Sequence, residues 1–474
     1  MVMLLREPAR PATVREHRQA PWFAIITVCF GAFMGQFDAS VVTLAFPALQ
    51  RQFTAGLAEV QWVSVAYLLA LIALLVPAGR WSDRLGRKLV YLYGFVVFTA
   101  ASAACGLAPN LLVLISLRLI QAAGAAMLQA NSVALVSANA PANRRRTALA
   151  VQAAAQALGL ALGPIGGGLL VGLASWRWVF LINVPVGIVA VIAGIYLLPR
   201  TRERARKQGA DPTGMILLAA MTTGLLVTLS SVSGLALPFW AGSCCLLVTA
   251  VAGTALARRE RRVPSPLIDL RMLVATGIAP ALVGAMCAYM ALFGPLVLIP
   301  QMLDADGQGP LAVGLVLVAL PAGFGLAAVL TERALPATWP DRRRCTAGGL
   351  VAACGLLALA VPLPAAVLAV PLGLVGVGIG AYLPANNAKV MNSVPVVNAA
   401  AAGSLVSIAR GMGTALGVAA VTLGLHIGDE LRVPEAGVIT AVGTLVGAAV
   451  VAIAATAARG KRGPRRISLG GRDD

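Results

Sequence analysis

Residues 57–107 read LAEVQWVSVAYLLALIALLVPAGRWSDRLGRKLVYLYGFVVFTAASAACGL, and the fold turns on this stretch. Two apolar runs flank a short basic turn, GRWSDRLGRK (Gly79–Lys88). Each run is close to the ~20 helical residues that cross a hydrocarbon core of about 30 Å. Hydrocarbon offers no water to satisfy backbone amides, so apolar runs of this length are stable there only as helices. The alternation recurs along the whole chain. Spans are expected near 22–46, 57–79, 89–107, 110–137, 146–171, 178–199, 213–233, 236–257, 274–301, 310–332, 345–362, 365–388, 397–426 and 435–458. They describe an all-α integral membrane protein with 14 transmembrane helices.

Composition points the same way. Of 474 residues, 59% are hydrophobic and only 12% charged. A soluble domain carries about 25% charged residues, so a water-solvated surface cannot be covered with what this chain has. The net charge of +19 does not indicate nucleic-acid binding, because the basic residues fall in short runs between apolar segments and form no single stripe. If both termini are cytoplasmic, 32 of the 37 Lys and Arg residues lie in inner segments. Only Arg51, Arg177 and Arg432 then lie outside, and Arg118 and Arg410 fall within spans. Short-loop basic residues favour the inner face, which supports this orientation in a cytoplasmic (inner) membrane. The first apolar run carries Asp38 and is read as an uncleaved span, since a charge does not suit the core of a signal peptide.

Several chemistries are excluded. The seven cysteines sit in or beside apolar runs without C-x-x-C spacing, so they read as small hydrophobes, with no metal site expected. His17 and His426 are the only histidines, and neither H-E-x-x-H nor G-x-S-x-G occurs, which argues against an enzyme or membrane-embedded hydrolase. No G-x-x-x-x-G-K-[ST] loop is present, so no ATPase or other cofactor is expected and a proton gradient is the remaining common source of energy. One inward proton at roughly 150 mV supplies about 3.5 kcal/mol, which sustains a gradient of about 300-fold for a neutral solute.

The motifs carry a resemblance. GRWSDRLGRK, with Gly79, Asp83, Arg84, Gly86 and Arg87 in place, is similar to the G-x-L-x-D-R-x-G-R-K loop of the major facilitator superfamily; Trp81 replaces an aliphatic residue. LISLRLIQAAGAA resembles that family's R-x-x-Q-G-x-G-A, with Ala122 replacing a glycine. GLALGPIGGG resembles the antiporter motif G-x-x-x-G-P-x-x-G-G at Gly159, Gly163, Pro164, Gly167 and Gly168. MGQFDASVVTLAFPAL resembles the first-helix motif of the fourteen-helix drug:proton antiporters, as does WRWVFLINVPVG near helix 6. The resemblance is dense over the N-terminal 200 residues and thin beyond them. It implies a major facilitator fold of two six-helix lobes plus a two-helix central insertion. The expected divisions are an N-terminal tail (1–21), an N-terminal lobe (22–199), a cytoplasmic linker with the insertion (200–273), a C-terminal lobe (274–458) and a basic tail (459–474). It implies a proton-coupled exporter of small organic molecules such as drugs, antibiotics or secondary metabolites, with the loop as an inner gate and a functional monomer as the working unit. A proton-coupled importer on the same fold is the alternative; a membrane-embedded sensor is a more distant one.

Physical reading of individual residues stands beside the resemblance. Glycines four apart let a neighbouring helix approach closely, and Pro164 removes a helical hydrogen bond in mid-span. Asp38 is the one acid expected well inside a span, at a cost of at least about 2–3 kcal/mol. Desolvation favours its protonated form, so it is the candidate proton carrier, with Arg118 as its partner. A lone carboxylate suggests one proton per neutral or monocationic substrate. Arg410 would either favour an anionic group on the substrate or snorkel to the helix end. The cavity candidates are Gln36, Phe37, Gln121, Gln129, Asn131, Tyr289, Phe293, Gln301, Asn386, Asn387 and Arg410.

Overall fold

In a computed structural model of the chain, residues 7, 10–141, 144–201, 211–232, 239–263, 276–334, 339–394 and 399–457 are described. Most of the expected linker (202–210 and 264–275) and the basic tail (459–474) lie outside these residues. The described part is helical throughout. The helices are α1 (Ala20–Val41), α2 (Trp62–Leu85), α3 (Arg87–Gly106), α4 (Leu111–Asn139), α5 (Arg145–Leu173), α6 (Asn183–Leu197) and α7 (Pro212–Val232). They continue as α8 (Phe239–Glu260), α9 (Ala279–Ala305), α10 (Ala319–Ala334, preceded by Pro310–Leu317), α11 (Asp341–Ala358), α12 (Ala369–Asn392), α13 (Ala399–Glu430) and α14 (Pro434–Ala457). Among the described residues, eleven segments are long and apolar enough to cross a membrane by length and composition. Helices α5, α7 and α11 are not among those eleven; α11 opens on Asp341 and three arginines, and α5 on two.

Packing divides the helices into groups. α1 lies on α5, α4 and α6, while α3 and α2 lie on α4. In the other group α12 lies on α10 and α11, and α9 on α13 and α14. α7 and α8 pair with each other, and α7 also touches α2 and α13. Asp211 closes that hairpin: its Oδ1 accepts from the Gly214 amide at 2.9 Å, capping α7, and from Arg259 Nε of α8 at 2.9 Å. Large apolar side chains such as Leu119, Ile120, Leu158, Ile192 and Leu247 face outward, which suits a surface that meets lipid.

Glycines decide where helices meet most closely. A Cβ on Gly124 of α4 would lie 2.8 Å from the Gly94 carbonyl oxygen of α3, and Gly413 of α13 faces the Met286 backbone of α9. Along α5, Gly159, Gly163 and Gly167 face Phe33, Ser40 and Val41 of α1. One position further on, Gly168 faces the Pro310 carbonyl, where a Cβ would sit 2.7 Å away, and Gly314 faces the Pro164 carbonyl in return. One run of small residues therefore holds α5 against α1 on one side and against Pro310–Leu317 on the other.

The α2–α3 connection departs from expectation. A loop from Arg80 to Lys88 is expected, but α2 continues to Leu85 and α3 begins at Arg87. A helix satisfies its own backbone, so its polar last turn can project beyond hydrocarbon without unwinding. Gly79 is therefore helical, and Gly86 alone makes the turn, at φ 111° and ψ 133°. Asp83, the acid of the motif, falls outside the described side chains. Glu7 seals this turn: its carboxylate accepts from the Thr201 amide and hydroxyl, each at 2.7 Å, and abuts Gly86. Lys88 is buried and donates to the carbonyls of Ile195, at 2.9 Å, and Leu198 at the end of α6. Gly86→Ala is expected to destabilise the protein by about 1–3 kcal/mol, because the backbone is in a glycine-favouring region and the methyl group would strike Glu7. Thermal unfolding of the purified protein in detergent checks this.

Candidate functional site

Asp38 lies near the C-terminal end of α1, within buried packing on every side. Its Oδ2 accepts from Arg118 Nη1 of α4 at 2.6 Å, and both side chains are essentially inaccessible, at 0% and 1% exposure. Its Oδ1 accepts from Gln121 Nε2 at 3.0 Å and from Asn183 Nδ2, at the start of α6, at 3.2 Å. Gln121 also donates to Ser102 Oγ at 2.7 Å and accepts from Arg118 at 2.6 Å. Arg118 Nε donates to the Val63 carbonyl of α2 at 2.9 Å, and its guanidinium stacks 4.0 Å from the Tyr67 ring centre. Four helices and the start of a fifth meet in this network. Burying a charge is costly unless it is paired and hydrogen-bonded, and here both charges are.

Spacing places these groups. Arg118 and Gln121 are three apart and share one face of α4, while Val63 and Tyr67 are four apart on α2. Asn183, Ser102 and Tyr67 were not expected from sequence. Asn183 stood in WRWVFLINVPVG as a buried amide in an apolar run, a signal that was available; Ser102 and Tyr67 carry none that separates them from ordinary packing.

A cavity of about 1000 Å³, counted with its open mouth, lies beside the ion pair. Tyr67 belongs to both: it lines the cavity and covers the Arg118 guanidinium. The walls are mixed, with amides of Gln36, Gln129, Gln152 and Gln156 among apolar side chains such as Leu68 and Leu71. Arg410 of α13 is half-buried on the wall, with Nη1 3.3 Å from Gln156 Oε1. It does not snorkel to the helix end. A second lobe of the cavity runs on past Tyr289, Asn387 and Arg410.

The opposite end is closed by contacts between the two helix groups. Arg51 pairs with Asp304 at 2.8 Å, Gln301 Nε2 donates to Gln50 Oε1 at 3.0 Å, and Gly168 meets Pro310 as described. Ser132, Gln152, Asn387 and Ser407, by contrast, line the cavity near the helix ends that face the α2–α3 turn.

Several cavity candidates sit elsewhere. Gln36, Gln129, Tyr289, Phe293, Asn387 and Arg410 are on the walls. Gln121 belongs to the ion-pair network and Gln301 to the closed end. Phe37 packs on Phe33 and against Gly166 of α5. Asn131 donates back to the Met127 carbonyl at 2.8 Å, and Asn386 donates across to the Ala281 carbonyl at 2.9 Å. The reason is general. Polarity inside a span marks a side chain that needs a partner, and a neighbouring helix supplies one as readily as a cavity does.

Known proteins agree with this architecture. The profile of the Major Facilitator Superfamily matches residues 28–418. The Methylenomycin A resistance protein of Streptomyces coelicolor is 32% identical over 410 residues, covering 85% of each chain. The Riboflavin transporter RibZ of Clostridioides difficile is 29% identical over 402 residues, covering 84% of this chain and 87% of its own. A bacterial homologue of the human lysosomal transporter Spinster, solved inward-facing and unoccupied, superposes with a TM-score of 0.63 at 15% identity, over 93% of this chain and 96% of that one.

Proposed function

The chain belongs to the major facilitator superfamily, and on that premise we propose that it is a proton-coupled antiporter exporting small organic molecules across the cytoplasmic membrane by alternating access. Members of this family are multi-pass membrane transporters that bind small molecules in a lipid bilayer, not enzymes. The finer reading adds fourteen spans in two six-helix lobes with a central hairpin, both termini cytoplasmic, and one chain as the working unit. The basic segments at one end of the helices support that orientation.

One observation carries the coupling: a fully enclosed Asp38–Arg118 pair separated from the cavity by Tyr67. Arg118 cannot give up its proton, so Asp38 is the member of the pair assigned the role of proton carrier. In the conformation at hand the cavity leads towards the α2–α3 turn, taken as the cytoplasmic side, and the Asp38 carboxylate accepts from Arg118, Gln121 and Asn183. Rocking of the lobes that breaks the Arg51–Asp304 and α5–Pro310 contacts opens the other end. Displacement of Tyr67 and Gln36 then exposes Asp38 to external water, where it takes up a proton as substrate leaves. Return re-forms the ion pair and releases the proton inside. The α2–α3 turn is the inner gate, braced by Glu7 and Thr201.

The relatives carry different names, one for resistance to an antibiotic and another as a riboflavin transporter, and direction is read here from the sequence. The Gly/Pro run of α5 favours export, through the antiporter motif that it resembles. Energised inverted vesicles test this: an exported substrate should move protons out of the vesicle lumen as it enters. Substrate movement in the same direction as protons would replace the antiporter with a symporter.

A further inference from the structure

The charge of the cavity wall has a chemical consequence. Among the described residues that line its two connected parts, Arg410 is the one charged side chain, and no Asp or Glu lines either part. The nearby carboxylate, Asp38, is enclosed and already paired with Arg118. The described polar partner of Arg410 is an uncharged amide, Gln156, at a long 3.3 Å. A guanidinium cannot shed its charge to ease burial, so a half-buried one facing a cavity retains an unmet demand for an anion. Its planar fork matches a carboxylate or another delocalised oxyanion in two-point contact. A cation in the same space would meet like charge with no counter-ion. Asp38 alone suggests a neutral or monocationic substrate, whereas the wall around Arg410 favours an anion.

Two further features narrow the class. Asn387, in the second part of the cavity, adds another uncharged amide to the wall. Leu68, Leu71, Ile72 and Phe293 provide apolar surface above Arg410. Walls that combine amides with an apolar surface in this way suit an organic body and not an inorganic ion.

We propose that the cavity takes amphipathic organic anions, with an acidic head group on Arg410 beside Gln152 and Gln156 and an apolar body against Leu68, Leu71 and Phe293. The role in export rests on the proposed function, whereas the charge preference in binding does not. The test uses the full chain purified in detergent and three probes sharing one fluorophore: dansylglycine (an anion), dansylamide (neutral) and dansylcadaverine (a cation). Dansylglycine is expected to bind at least tenfold more tightly than dansylcadaverine, with dansylamide between them, and inorganic phosphate at the same concentration is expected not to displace it. Arg410→Gln should remove the preference and Arg410→Lys should keep most of it, with thermal unfolding reporting that each variant is folded. Equal or tighter binding of dansylcadaverine by the wild type, binding of none of the probes, or displacement of dansylglycine by phosphate overturns the proposal without recourse to any variant. A preference that survives in folded Arg410→Gln also overturns it. Vesicle transport separates the two readings. Charge-selective binding without proton-coupled movement sinks the antiporter and keeps the anion site, while proton-coupled transport of dansylcadaverine alone does the reverse.

Discussion

Asp38→Asn is expected to abolish proton-coupled export and to destabilise the protein by about 3–5 kcal/mol, the usual cost of removing one partner of a buried ion pair. The two effects have different causes. Coupling is lost because an amide cannot take up and release a proton at physiological pH. Stability is lost because Arg118 is left with its charge enclosed at 1% exposure, retaining only neutral partners in Gln121, Val63 and the Tyr67 ring. The double variant Asp38→Asn, Arg118→Gln separates them. It is expected to recover most of the unfolding temperature, since no charge remains buried, but not to recover export. Thermal unfolding in detergent and substrate-driven proton movement in vesicles read the two quantities independently. Wild-type export by folded Asp38→Asn would remove Asp38 from the mechanism and leave it a structural acid.

Gly314→Val is expected to cut transport by more than tenfold while leaving each helix group folded. Gly314 packs on the Pro164 carbonyl and Gly168 on the Pro310 carbonyl, so neither has space for a side chain. Backbone cannot yield as a flexible side chain can, and the two helix groups would be held apart at the end that Arg51 and Asp304 now close. The open-ended arrangement on that side would persist. A cysteine introduced as Gln301→Cys, at a position now bonded to Gln50, reports the change as faster maleimide labelling from outside. Gly314→Ala should show the same effect in weaker form. Wild-type transport by Gly314→Val would mean that this contact is not part of the cycle.

The contrast between these sites shows what each level of description supplies. The α5 glycines were legible as a close-packing stripe, yet sequence could not show that Gly159, Gly163 and Gly167 serve α1 while Gly168 serves Pro310–Leu317. A one-residue step rotates a helix face by about 100°, and only the neighbours reveal which face meets which partner. Likewise Gln121 and Asn131 look alike as polar residues inside α4, but one holds the ion pair and the other bonds its own helix.

Composition and hydropathy determined by themselves that the chain is a helical membrane protein, because the solvent on either side of a span leaves so few solutions for apolar runs of about 20 residues. They also singled out Asp38 and Arg118, since a charge in hydrocarbon is conspicuous wherever it occurs. Tertiary structure decided the rest: that these two charges neutralise each other behind Tyr67, that Arg410 faces the cavity with no acid among the described residues that line it, and that one end of the bundle is closed. Such contacts join residues dozens to hundreds of positions apart, and the pattern along a single helix holds no record of what packs across from it.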